Sequence, residues 1–146
     1  MDIVITLPKN LWASICSGDK EYECRKRIPR NFMRDYDKCW VVLKGTKDVV
    51  GFIVIDQFET GVDVEDIADN YLDKLCIDKS WFDEYAKHYD VLSLWKIGRV
   101  VYELAIPRDR EKLLGIISNP QSYCYCRPTY DDNIRFFKRG MALKED

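Results

Sequence analysis

Histidine is nearly missing from this chain: His88 is the single one in 146 residues. The six cysteines form no Cys-x-x-Cys pair and one histidine offers little to complete a zinc ligand set, so no metal site is expected. A glycine-rich phosphate loop and a Gly-x-Ser-x-Gly nucleophile turn are also missing. No apolar run nears the ~20 residues that cross a bilayer. The opening, "MDIVITLPKNLW", lacks the basic segment and small cleavage residues of a secretory leader. Together these absences argue for a cytoplasmic chain with no cofactor and no membrane partner.

What is present suits a globular protein. The chain is 47% hydrophobic and 33% charged, a balance that supports one substantial core and one domain over residues 1–146. Four Trp, nine Tyr and six Phe favour a core containing β-structure. Cys16, Cys24, Cys39, Cys76, Cys124 and Cys126 are expected as buried thiols of a reducing compartment. The net charge of −2 is unevenly spread: residues 56–90 carry eleven acids and three bases, whereas the segments on either side are each basic in balance. A cationic face, and with it a polyanionic partner, is therefore permitted but not required.

Periodicity sketches the elements. "DIVITL" reads as an opening strand, and "PKNLWASICSG" as a helix with Pro8 in its first turn and Gly18 at its stop. "KCWVVLKGTKDVVGFIVID" reads as a hairpin. "DVEDIADNYLDKLC" and "SWFDEYAKHYD" have helical spacing, the second with Ser80 as expected N-cap and an apolar stripe of Trp81, Phe82, Tyr85 and Tyr89. "LSLWKIGRVVYELAI" carries one or two strands, residues 108–115 a helical turn, "SNPQSYCYC" a last short strand, and the end is a polar tail anchored by Ile134, Phe136 and Phe137. Strands frame two or three helices without βαβ alternation, which predicts the α+β class: an antiparallel barrel or sheet with helices at its ends.

The densest chemistry lies in "SGDKEYECRKRIPR", with seven charged side chains from Asp19 to Arg27. Strand alternation puts Glu21, Glu23, Arg25 and Arg27 on one face and Lys20, Tyr22, Cys24 and Lys26 on the other. A turn after Gly18 can rotate Lys20 onto the face of Glu23 and Arg25. Such a trio offers a cation for phosphate, a carboxylate for a base edge or a proton, and a fork-shaped donor. The competing account is a solvated strand with charges paired across to a neighbour. Arg30 and Arg34 extend the cationic run, either as solvated loop or as a phosphate-tracking edge. Trp12, Tyr22 and Trp40 are the aromatics that could stack on a base. Alternation sends Tyr22 to the opposite face and Trp12 lies on an apolar helix stripe, so both are expected in the core. His88, alone among acidic neighbours, reads as a structural or surface residue.

The order of these elements, with Gly18, Lys20, Glu23 and Arg25 forming a Gly-x-Lys-x-x-Glu-x-Arg pattern after a helix, "VVGFIVID" and "WFDEYAKHY" following, and Pro120–Tyr123 later, resembles the ASCH domains of the PUA-like superfamily, including small phage and bacterial members. The resemblance is strongest over residues 1–126, leaving 127–146 as a polar C-terminal extension. It implies a small antiparallel β-barrel with two or three helices packed at its ends, and a charged cleft that binds RNA or a nucleotide-like small molecule. The binding set is then Lys9, Gly18, Lys20, Glu23, Arg25, Lys26 and Arg27. Some relatives hydrolyse an acylated cytidine with a lysine and a threonine of this strand and a helical glutamate, and others are linked to RNA cleavage. Lys20 matches that lysine, and Glu84 or Asp83 lies in the region of the glutamate. Glu23 stands in place of the threonine and removes its hydroxyl. Catalysis is left open, with Lys20 and Glu23 as the reacting pair if the protein is an enzyme. The alternatives to a binding module are thus a small hydrolase and, from another class, a protein–protein adaptor.

Overall fold

The computed structural model describes residues 1–34, 36–46, 48–102 and 124–125. The described strands are β1 (Ile3–Leu7), β2 (Tyr22–Arg25), β3 (Cys39–Leu43), β4 (Val49–Asp63), β5 (Val91–Tyr102) and the two-residue β6 (Cys124–Tyr125). They form one sheet in the order β2-β5-β4-β3-β1-β6, curled into a half-barrel. Helices α1 (Lys9–Ser17), α2 (Val64–Asn70), α3 (Leu72–Leu75) and α4 (Lys79–Ala86) pack around it, giving the expected α+β class. The expected turn at 108–115, the Pro120–Tyr123 segment and the anchored tail lie outside the described residues.

The hairpin forms where its apolar runs and turn residues place it. β3 and β4 pair antiparallel, with Cys39 opposite Ile53 and Trp40 opposite Phe52, and Gly45 takes a left-handed φ of 81° in the turn. β4 then runs on for fifteen residues against β5, with register breaks at Ile53/Ile55, Ile55/Gln57 and Glu59/Val62. Breaks of this kind add twist and bend, so one long strand can wrap a curled sheet. Gly51 is a point of close approach between β4 and its neighbours. A Cβ there would lie 2.2 Å from the Val101 carbonyl oxygen and 3.0 Å from the Trp12 ring.

Three details differ from the sequence reading. β1 pairs parallel with β3, Ile3 beside Cys39 through Leu7 beside Leu43, so the sheet is mixed; both faces of β1 are covered, and Ile3, Val4 and Ile5 are all buried. The helix expected over 63–76 breaks at Tyr71 into α2 and α3, which brings the described helices to four. The residue preceding α4 is Asp78 rather than Ser80, and its side chain makes no capping bond.

Apolar packing divides around the sheet. One cluster joins Ile3, Ile5, Trp12, Ile15, Ile53 and Trp95; the other joins Cys24, Ile67, Leu75, Phe82, Leu92 and Leu94 beneath α2–α4. Trp12 and Trp40 are core residues, and Trp40 Nε1 donates to Asp2 Oδ2 at 3.0 Å. Tyr22 packs its ring edge-on to Tyr71, away from Glu23 as alternation predicts. Cys24 and Cys39 are buried thiols, whereas Cys76 is half-buried.

Candidate functional site

β2 carries the site, and the turn before it decides which way Lys20 points. Gly18 ends α1 in the left-handed region at φ 87°, its N–H donating to the Ile15 carbonyl at 3.1 Å. Lys20 N–H then turns back to the Ser14 carbonyl (3.0 Å), and Glu21 N–H reaches the Lys74 carbonyl (2.8 Å). This path drives Lys20 inward, leaving 2% of it exposed. Its ammonium donates to the Leu75 carbonyl oxygen at 2.8 Å, satisfying an acceptor that the end of α3 leaves open.

Glu23 stands between two cations. Its Oε1 lies 4.0 Å from Lys20 Nζ and accepts the Cys24 N–H at 3.0 Å; its Oε2 lies 3.7 Å from an Arg25 Nη. Glu23 is 6% exposed, and Oε2 has no hydrogen-bond partner among the described residues. A buried carboxylate of this kind depends on both neighbouring cations. Arg25 is held from the other side: Trp95 Nε1 donates to Ser93 Oγ (3.2 Å), which donates to the Arg25 carbonyl (2.5 Å).

Glu23 and Arg25 face a cavity of about 470 Å³, walled also by Thr6, Pro8, Leu11, Lys44, Trp81 and Tyr85. Sequence reasoning missed Thr6, Lys44, Trp81 and Tyr85 as site residues. The Thr6 hydroxyl is buried without a hydrogen-bond partner among the described residues, and Lys44 is set by its N–H bond to the Leu7 carbonyl at 2.8 Å. Trp81 and Tyr85, one helical turn apart on α4, stack at 5.3 Å and 8°. Trp81 is 56% exposed and Tyr85 half-buried, so within the apolar stripe of α4 Trp81 offers a surface face while Phe82 carries the burial. Burial, then the Glu23 charge, pushes the Cys24 thiol up to about 12. Burial does most to lift the Tyr85 hydroxyl to about 12 as well. Both are neutral at pH 7, so among the described residues the ionic side chains on this wall are Glu23, Arg25 and Lys44.

The other expected residues sit elsewhere. Lys9, Gly18, Lys26 and Arg27 are exposed and outside this cavity; Lys26 lies 5.2 Å over the Tyr89 ring. Arg30 and Arg34 border a different hollow with Phe32 and Tyr36, and an Arg34 Nη donates to the Asp56 carbonyl. Asp83 and Glu84 are exposed and paired with Lys79 and Lys87, on the solvent side of α4. His88 is exposed. A larger hollow, about 740 Å³, is lined by Asp63, Glu65, Asp66, Asp69, Asp83 and Asp90 and would repel an anion.

With this geometry in view, comparison with solved structures is decisive for the fold. The crystal structure of ASCH from Zymomonas mobilis matches at TM-score 0.73, with 19% identity over 94% of this chain and 93% of that one. A serine-to-alanine mutant of that protein matches at TM-score 0.74 and 18% identity, covering 94% of both chains, and a tyrosine-to-phenylalanine mutant at 0.73 and 19%, covering 94% and 96%. The chain has the ASCH fold. No protein-family model matches the sequence, and no curated protein matches it either. At this identity the ASCH likeness speaks for the architecture, and the cavity must be read from its own side chains.

Proposed function

We propose that this chain is a single ASCH-type domain that binds RNA or a nucleotide-derived ligand in the cavity between β2 and α4. One observation carries the reading: the exposed Trp81, stacked on the half-buried Tyr85, and the cations Arg25 and Lys44 wall the same hollow as the buried Glu23. Aromatic faces hold bases, cations hold phosphate, and a fixed carboxylate accepts from a base N–H edge. Lys20, beneath the floor, acts by holding Glu23 in place. The same burial weakens the hydrolase alternative, because an ammonium engaged with Leu75 has no approach to a substrate carbonyl. No helix among the described residues is long and apolar enough to cross a membrane. The buried thiols Cys24 and Cys39 fit the cytoplasmic setting that we also propose.

The test is equilibrium binding of a short single-stranded RNA across a salt series. Arg25→Ala and Lys44→Ala should each weaken binding about tenfold, as expected for loss of a charge-assisted contact. Each should also flatten the dependence on salt, by roughly one unit or slightly less in log–log slope. Unchanged affinity and slope in both variants would remove the reading.

A further inference from the structure

Trp81 belongs to two hollows. Besides the cavity of Glu23 and Arg25, it borders a second one of about 400 Å³, lined by Pro8, Asn10, Leu11, Cys76, Ile77 and Asp78. Pro8, Leu11 and Trp81 are common to both, so the two lie side by side with the indole and the first turn of α1 between them. Their volumes, about 470 and 400 Å³, both fall within the roughly 300–1,000 Å³ of small-ligand sites. Among the described residues Trp81 is one of the few large apolar side chains left exposed, and it stands at their junction.

The chemistry of the two differs. The first brings Arg25 and Lys44 to its wall, which suits phosphate. Among the described residues the second is lined by no cation; it offers the Asn10 amide, the Asp78 carboxylate and an apolar floor of Leu11 and Ile77. A carboxylate without a cation disfavours phosphate, whereas an amide and a carboxylate over apolar carbon suit the edge and face of a base.

Resting on the nucleotide reading, we infer that the ligand is an oligonucleotide of at least two units. One nucleotide is held by its phosphate beside Arg25 and Lys44, and the neighbouring base lies beyond Trp81, against Leu11 and Ile77 with its edge to Asn10 and Asp78. A free mononucleotide fills only part of the site.

The experiment compares adenosine 5′-monophosphate with the 5′-phosphorylated RNA dinucleotide pApA by calorimetry or competition. The dinucleotide is expected to bind roughly 10- to 100-fold more tightly, the increment of one stacked base. Asn10→Ala, a surface change on α1, is expected to shrink the ratio of the two affinities several-fold, and Trp81→Ala to bring it close to one. Equal affinities for the two compounds, or a ratio unmoved by both variants, overturn the two-unit site while leaving the nucleotide reading standing. Binding of neither compound overturns both.

Discussion

At the residue scale, Lys20 and Glu23 show how far one short stretch specifies its own geometry. The charges and the glycine before them were legible in the sequence, including the turn that rotates Lys20 toward Glu23. Their burial was not, because nothing local says that Leu75 will close over the lysine with a carbonyl oxygen. Removing one partner of a buried ion pair strands the other in a low dielectric and costs about 3 kcal/mol or more. Lys20→Met should therefore lower unfolding free energy by that order in urea titration. Lys87→Met, which breaks the exposed pair with Glu84, should change it by no more than a few tenths of a kcal/mol. Equal effects would mean that the Lys20–Glu23 contact has no structural weight. Trp81 marks the opposite failure of local reading: helical spacing grouped it with Phe82, yet the two diverge around the helix, one to the surface and the other to the core.

At the element scale, strong β patterns were legible and their partners were not. The β3–β4 hairpin follows from apolar runs and a turn within one segment. The parallel pairing of β1 with β3 joins strands separated by α1 and β2, and no periodicity encodes it. The break at Tyr71 was equally hidden, since Ile67, Tyr71, Leu72 and Leu75 keep helical spacing across it. Gly51 turned out to be a contact point between elements. A methyl group there would press on the Val101 carbonyl and on Trp12, forcing β4 and β5 apart. Gly51→Ala is expected to destabilise by about 1–3 kcal/mol, the range for overpacking, read by thermal or urea unfolding. A neutral Gly51→Ala would contradict the close approach of β4, β5 and α1.

At the scale of the whole molecule, acidity ties the site to stability. Cys24 is raised from 9.0 to about 12, and Tyr85 from 10.0 to about 12, mainly by burial. The folded state therefore keeps these protons where the unfolded chain has lost them. Their contribution is complete below pH 9 and declines as pH rises from 9 through 12. Unfolding free energy should fall across that window, and Cys24→Ser should make the fall shallower. An identical slope in that variant would show that Cys24 does not titrate late. The ASCH architecture was legible as an order of elements around the Gly-x-Lys-x-x-Glu-x-Arg strand. The cavity was not, because it is assembled from β1, β2, the β3–β4 turn, α1 and α4, which meet only once the sheet has curled.

The most direct measurement of the central claim is a chemical-shift map of the isotope-labelled protein titrated with a short single-stranded RNA at low salt. The account predicts saturable shifts concentrated at Thr6, Arg25, Lys44, the Trp81 indole N–H and Tyr85, fading as salt is raised. Shifts centred instead on Arg30, Arg34 and Tyr36, or none at all, would contradict it.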